Sequence, residues 1–407
     1  MTAEGPAAAL ARAMAAAPPG PVGVAVSGGG DSVALLLLLA AIRPVAAVTV
    51  DHGLRPEATA EAAAVARLCA DRGIPHAVLP WRGWTGRGNL QAAARAARRR
   101  LIGAWAAERG LAGVALGHTL DDQAETFLLR LARGSGVDGL AGMAFAARGE
   151  GALWLRPLLE VRREALRQWL TGQGVAWAED PSNADPAFAR VRARAALGPL
   201  ATLGLGPERL AATAAAMARA RTALEAATAA LARACLEPGR AGDLTLDPGP
   251  WAAAPEEIRL RLLAAALGWV AGAPLRPRLS ALSAAAAVAG GLGGELRGGL
   301  TLHGCILRPR RGRIVLRREP ARAAAAVPFG AAWDGRWLVA GPGAGLRVGA
   351  LGVVGLARRT RWRESGLARE ALLTTPAVWD GADLVAAPLL DEGPFAARRT
   401  PRAPWAR

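Results

Sequence analysis

Residues 22–32 read VGVAVSGGGDS, and VALLLLLAAI follows at 33–42. A short β-branched run, three glycines and a long apolar segment spell strand, tight turn and buried helix. Glycines let backbone amides approach an anion closely, and the N-terminus of the following helix adds the positive end of its dipole. A phosphate loop ordinarily carries positive charge, yet Asp31 stands inside this one. A bare turn with Asp31 or Ser32 as N-cap needs no ligand. A carboxylate beside phosphate makes more sense with a divalent cation between them, since hard cations bind both. The turn therefore points to MgATP rather than a dinucleotide. Ser27, Gly28, Gly29, Gly30, Asp31 and Ser32 are its nucleotide contacts.

Three similar units follow. The apolar runs VAAVTV (45–50), HAVLP (76–80) and GVALG (113–117) each lead into a helix-length segment, starting near Pro56, Asn89 and Thr119. Continuous apolar strands alternating with helices predict an α/β fold, a Rossmann-like parallel sheet with helices on both faces. Ligands gather at the carboxyl ends of such strands. The polar clusters there are SGGGDS after the first strand, DHGLR after the second and GHTLDD after the fourth.

The chain of 407 residues is 52% hydrophobic with a formal net charge of +17, so it can bury a large core and favours a polyanionic partner. It contains no lysine and no tyrosine, which leaves arginine in every strongly basic role. A GK[ST] phosphate loop and a lysine Schiff base are thereby excluded. Cys69, Cys235 and Cys305 form no CxxC pair, against a zinc or iron–sulfur site and in keeping with a cytoplasmic protein. The Ala-rich first 20 residues, broken by Glu4, Arg12 and two prolines, make a poor secretory signal, and the 33–42 run is short of the ~20 residues that span a bilayer.

SGGGDS resembles the SGGxDS loop of the N-type ATP pyrophosphatases, the PP-loop superfamily, which cleave ATP between the α- and β-phosphates. GHTLDDQAETFLLRLARGSGVDGLAGM (117–143) is similar, nearly residue for residue, to the signature of the tRNA(Ile)-lysidine synthetases within it. VDHGLR (50–55), NLQAAARAARRR (89–100), LRPLLEVRREAL (155–166) and AEDPSNADPAFAR (178–190) extend the likeness over residues 20–200. The resemblance implies ligation of free L-lysine to C2 of the wobble cytidine of a tRNA(Ile) with a CAU anticodon. An adenylated cytidine would be the intermediate, with AMP and pyrophosphate released. The implied cofactors are ATP and Mg2+, and the partners are the tRNA and L-lysine, with no membrane and homodimer formation left open. A tRNA thiolation enzyme of the same superfamily is the nearest rival, and a non-enzymatic nucleotide- or RNA-binding module the other.

Asp121, Asp122 and Glu125 open the helix after the fourth strand. Spacing places Asp121 and Glu125 on one face with Asp122 aimed elsewhere, while Thr119 and an aspartate fit a capping box. With His118, these acids are assigned to catalysis and lysine binding. Asp31 and Asp122 are assigned to metal, although which acid takes metal and which takes lysine stays open. His52 is assigned to the nucleotide, and His76 and His303 are read as structural. Arg95, Arg98, Arg130, Arg133, Arg190 and Arg194 are assigned to tRNA phosphates, beside Arg99, Arg100 and Arg192. Arg99, Phe188 and Val191 depart from the residues usual in the family. Domain boundaries are expected at 1–200 (catalytic), 201–291 (helical, tRNA-binding) and 292–407 (β-rich). Segments 319–327 and 398–407 read as linker and tail.

Overall fold

The computed structural model describes residues 5–53, 56–84, 88–179, 185–273, 277–290, 299–400 and 405. Parts of the DHGLR and DPSN segments and the 291/292 boundary lie outside them. Two compact units divide the chain, Met1–Arg221 and Thr222–Arg407.

In the first unit, helix α1 (Pro6–Met14) precedes strand β1 (Val22–Ala25), α2 (Gly30–Ala40), β2 (Val45–Asp51), α3 (Pro56–Ala70), β3 (His76–Pro80), α4 (Leu90–Glu108) and β4 (Gly113–Leu116). Then come α5 (Leu120–Leu131), α6 (Val137–Leu140), β5 (Ala146–Gly149), β6 (Ala152–Leu155), α7 (Arg163–Gly172) and α8 (Ala189–Ala201). The sheet runs β3-β2-β1-β4-β6-β5, parallel except for the β5–β6 hairpin at its edge. This is the parallel sheet expected, extended by two strands. The strand order reverses between β1 and β4, where Ala25 pairs with Leu116. That reversal opens a crevice beyond the strand ends, the usual ligand site of such sheets.

Alternation along the strands divides the core. Val22, Val24 and Val26 pack with Leu35, Leu36 and Leu39 of α2 and Leu166 and Leu170 of α7. Ala25, Val48 and Val114 pack on the other face with Ile102 and Trp105 of α4. Leu35, Leu36 and Leu39 are completely buried. A helix apolar on all sides is stable only with such cover.

Helix α9 (Pro207–Cys235) leads into the second unit. There β7 (Leu236–Pro238) and β8 (Leu244–Leu246) join β9 (Leu300–Leu302), β10 (Cys305–Arg310) and β11 (Arg313–Arg318) in one antiparallel sheet. Helices α10 (Pro248–Ala253), α11 (Glu256–Ala271) and α12 (Leu279–Gly290) belong with it to a core around Trp251, Leu263 and Leu267. Strands β12 (Val327–Pro328), β14 (Arg347–Ala350), β15 (Pro376–Asp380) and β16 (Asp383–Ala386) form a second sheet. A two-stranded ribbon pairs β13 (Trp337–Ala340) with β17 (Ala396–Arg399), and short helices α13 (Gly352–Ala357) and α14 (Arg369–Leu372) complete the unit.

Two sequence expectations are corrected here. The segment read as a tail contributes β17, and Trp405 is buried with its ring 6.2 Å from that of Trp269. The segment read as a linker begins with a 3-10 turn and ends in β12, which pairs with β14. In both cases tertiary pairing overrides a composition that reads as loop. Among the described residues no helix is long and apolar enough to cross a membrane.

Candidate active site

Beyond the end of β1 the chain turns through Ser27–Ser32. Gly28 takes φ +88°, a left-handed backbone that side chains disfavour. Gly29 is the N-cap of α2 and offers no side-chain cap, so the first amides of that helix have no such partner. Ser32 Oγ donates to the Gly29 carbonyl at 2.8 Å and lies 3.3 Å from Ser27 Oγ, while Ser27 N donates to it at 3.2 Å. The two serines, expected as nucleotide contacts, thus also fasten the loop to itself. Ala178 N donates to the Gly28 carbonyl at 3.0 Å and ties a distant segment to the turn.

Gly117, just after β4, lets the fourth strand end against this loop. A Cβ there would stand 3.0 Å from both C and O of Asp31. Two strand ends, one bearing the glycine loop and the other the acids, therefore meet backbone to backbone.

Helix α5 starts with the expected capping box. Thr119 N donates to Asp122 Oδ2 at 2.8 Å, and Asp122 N donates to Thr119 Oγ1 at 3.4 Å. Capping uses one oxygen of Asp122. The other, Oδ1, accepts from Arg163 Nη2 at 3.2 Å and Arg190 Nη1 at 3.3 Å. Glu125 is fully buried, and its Oε1 accepts from Arg194 Nε at 2.8 Å and Arg163 Nη1 at 3.3 Å. Its Oε2 is buried without a partner. Asp31 Oδ2 accepts from Arg163 Nε at 3.0 Å. Asp121 accepts from the backbone N of Arg163 at 2.7 Å and from Arg162 Nε at 3.2 Å.

This corrects the expected division of the acids. Asp122 and Glu125, three residues apart, converge with Asp31 on one guanidinium, while Asp121 turns to the start of α7. Spacings of three and four both place residues on a shared helix face, and the cap swings Asp122 inward. Arg163 itself, central to the arrangement, was not singled out from the sequence.

Burial pushes the Asp31 carboxyl up, opposed chiefly by the charge of Arg163. Asp122 lies below the usual carboxylate range: burial works against this, but Arg163 and the Thr119 amide outweigh it.

His52 and His118 follow β2 and β4, as expected. Burial, then the charge of Arg98, lowers His52, whose ring lies edge-on to Trp81 at 5.6 Å. Burial drives His118 down to about 4, with Arg156, Arg190 and Arg95 adding to it and Asp122 opposing. Both imidazoles are neutral near pH 7, each with a buried Nδ1 that lacks a partner. The strand end before His52 is braced by Asp51, which accepts from Gly53 N at 2.9 Å and Arg82 Nη2 at 3.1 Å. His76 shares a 2.9 Å hydrogen bond with Thr49 inside the sheet.

The arginines assigned to tRNA have different surroundings. Arg95 is exposed and Arg98 half-buried, and among the described residues neither has an ion-pair partner. Arg130 donates to the carbonyls of Gly139 at 2.7 Å and Gly142 at 3.0 Å, bracing the turn after α5. Arg133 is exposed. Arg190 and Arg194 reach Asp122 and Glu125, and Arg99 pairs with Glu150 at 2.8 Å. Arg156, another residue sequence reasoning passed over, is 8% exposed and donates to Ala144 O at 2.9 Å.

Cys69, Cys235 and Cys305 are buried, their thiols pushed up by burial to about 11, 11 and 12. None has the thiolate character that sulfur chemistry requires.

The PP-loop domain family matches residues 6–201. A tRNA(Ile)-lysidine synthase from Ruegeria pomeroyi is 47% identical over 383 residues, covering 92% of this chain and 90% of that protein. Another from Methylobacterium sp. strain 4-46 is 46% identical, covering 74% of this chain and 90% of its own. A third, from Methylobacterium nodulans, is 44% identical over 75% of this chain and 92% of its own. With the glycine loop and the acidic helix start meeting at the sheet's switch point, the chain belongs to the tRNA(Ile)-lysidine synthase family and carries its chemistry on a PP-loop domain.

Proposed function

We propose that this site joins L-lysine to C2 of the wobble cytidine in a tRNA(Ile) with a CAU anticodon. The chain is an ATP-using ligase of the lysidine-forming class. The observation that carries the residue-level reading is the contact of Gly117 with the Asp31 turn, which sets the nucleotide loop beside Asp122 and Glu125. The thiolation alternative lacks a nucleophile, since all three cysteines are buried with raised pKa values.

In the first step the C2 carbonyl oxygen of the cytidine attacks the α-phosphate, forming a C–O–P linkage and breaking the bond to pyrophosphate. The amides of Gly28–Asp31 and the N-terminus of α2 hold the polyphosphate. In the second step the lysine amine attacks C2 and the C2–O bond to AMP breaks. The carboxylates of α5 hold the amine as ammonium beforehand and accept the proton it must lose to become a nucleophile. The neutral amine then attacks, its second proton passes to solvent as the C–N bond forms, and AMP leaves as the phosphate anion. Neutral His118 borders this space as a hydrogen-bonding group rather than a charge.

Among the described residues no group of three or more His, Cys, Asp or Glu could hold a metal ion. Mg2+ commonly takes one or two carboxylates and completes its shell with phosphates and water, and Asp31 and Asp122 fit that demand. Bound with ATP, the ion would neutralise charge on the departing pyrophosphate.

We further propose that Arg95, Arg98 and Arg133 meet tRNA phosphates, supported by the absence of an ion-pairing carboxylate for them among the described residues. Residues 201–291 and 292–407 serve as tRNA-binding parts, and the reaction takes place in the cytoplasm. The deciding experiment incubates the purified protein with ATP, labelled lysine and tRNA(Ile) bearing CAU. Label in the tRNA with equimolar AMP and pyrophosphate supports the reading. ATP turnover without lysine transfer refutes it.

A further inference from the structure

We propose that Arg163 is a positioning residue and resident counter-ion, holding Asp31, Asp122 and Glu125 at one point until the divalent cation accompanying the nucleotide displaces it from Asp31. Three side-chain nitrogens of Arg163 reach three different carboxylates: Nε to Asp31 at 3.0 Å, Nη2 to Asp122 at 3.2 Å and Nη1 to Glu125 at 3.3 Å. The side chains of Asp31, Asp122 and Glu125 are 23%, 8% and 0% exposed. Three largely buried like charges repel one another and drift toward protonation unless a cation sits among them.

The contacts are arranged for a partial exchange. None is the two-pronged arginine–carboxylate pair that would make a contact hard to break. Asp122 and Glu125 each have a second cation, Arg190 and Arg194, that keeps them ionised if Arg163 moves. Asp31 pairs with no other cation among the described residues. The backbone of Arg163 is meanwhile pinned, its amide donating to Asp121 at 2.7 Å. Only the side chain must therefore swing, and the carboxylate released is the one in the nucleotide loop.

This inference rests on the assignment of Asp31 to the nucleotide's cation. Its test is Mn2+ alone, titrated into the full-length protein and followed by electron paramagnetic resonance without ATP, lysine or tRNA. Arg163→Met removes the competitor, and Mn2+ should bind about tenfold or more tightly, the scale of deleting one unit charge a few ångströms from a divalent ion in a partly exposed site. A merely structural role leaves that affinity unchanged or weakens it, and either result overturns the inference. Should Arg163→Met fail to fold, Arg163→Gln decides, since it also removes the charge while keeping a polar side chain: tighter Mn2+ binding than wild type supports the inference, and equal or weaker binding overturns it. Asp31→Asn separates this inference from the reading beneath it. Unchanged Mn2+ affinity in Asp31→Asn removes the cation assignment and the inference together. Weaker binding there, without a gain in Arg163→Met, removes the inference alone.

Discussion

Replacing Gly117 with alanine would drive a methyl group into the turn that holds Asp31. The new Cβ would lie 3.0 Å from C and O of Asp31 and 3.1 Å from N of Ser32. All three are backbone atoms at the start of α2, so no flexible side chain can absorb the strain and the helix start itself must move. Overpacking of this kind costs about 1–3 kcal/mol. For a unit of this size that lowers Tm by about 2–12 °C. Chemistry suffers as well: the loop must give by a few tenths of an ångström relative to α5. Since a misplacement of about 1 Å costs about 100-fold in rate, a loss of roughly 10-fold is expected. Thermal unfolding and transfer of labelled lysine into tRNA measure the two effects. Gly172→Ala is the control: it ends α7, nothing lies within 4 Å of the added Cβ, and it should be neutral or slightly stabilising. If Gly117→Ala matches wild type in both Tm and transfer, the close approach is not what aligns the loop with the acids.

Glu125→Gln keeps the shape but removes the charge shared by Arg163 and Arg194; transfer should fall at least about 100-fold at a cost in stability of about 2–4 kcal/mol, checked by kinetics and denaturant unfolding. His118 has a folded pKa near 4, below its unfolded value, so only the unfolded chain takes up its proton between about pH 6.5 and 4. Wild type should therefore lose more stability than His118→Asn as pH falls through that window, and parallel curves would refute the burial of a neutral ring. Arg95→Ala and Arg98→Ala should each weaken tRNA binding and lower the slope of log K against log salt by roughly 0.7–0.9, with an unchanged slope removing them from the interface. Trp405→Ala should destabilise the second unit by about 3–5 kcal/mol in denaturant unfolding, whereas a disordered tail would show no change.

The parallel sheet was readable because its strands are buried on both faces. Runs such as VGVAV and GVALG carry no polar interruption, and glycine, proline or aspartate bounds each one. The capping box was readable for the same local reason, since Thr119 and Asp122 are three residues apart. What escaped is non-local. Arg163 meets Asp31 across 132 positions of sequence, and in a chain whose 50 Lys and Arg are all arginine, no one arginine stands out. Strand β17 reads AARR, poor in β-formers, and exists because β13 offers it an edge. The β5–β6 hairpin, AARG and ALWL around a Glu-Gly turn, is too short to show period-2 alternation. The face assigned to Asp122 differed because periodicity gives the direction of a Cβ, whereas the cap decides where its carboxylate goes.

The guanidinium at the centre of the acid cluster also bears on chemical selectivity. An adenylated cytidine is an electrophile that any free amine can attack. The protein contains no lysine, so its side chains include no amine anywhere, and the cationic groups described against Asp31, Asp122 and Glu125 are guanidiniums. Arginine supplies positive charge there without a competent nucleophile, since its guanidinium stays protonated at any working pH. In the proposed reaction the substrate's amine thus meets no side-chain rival of its own kind on this chain.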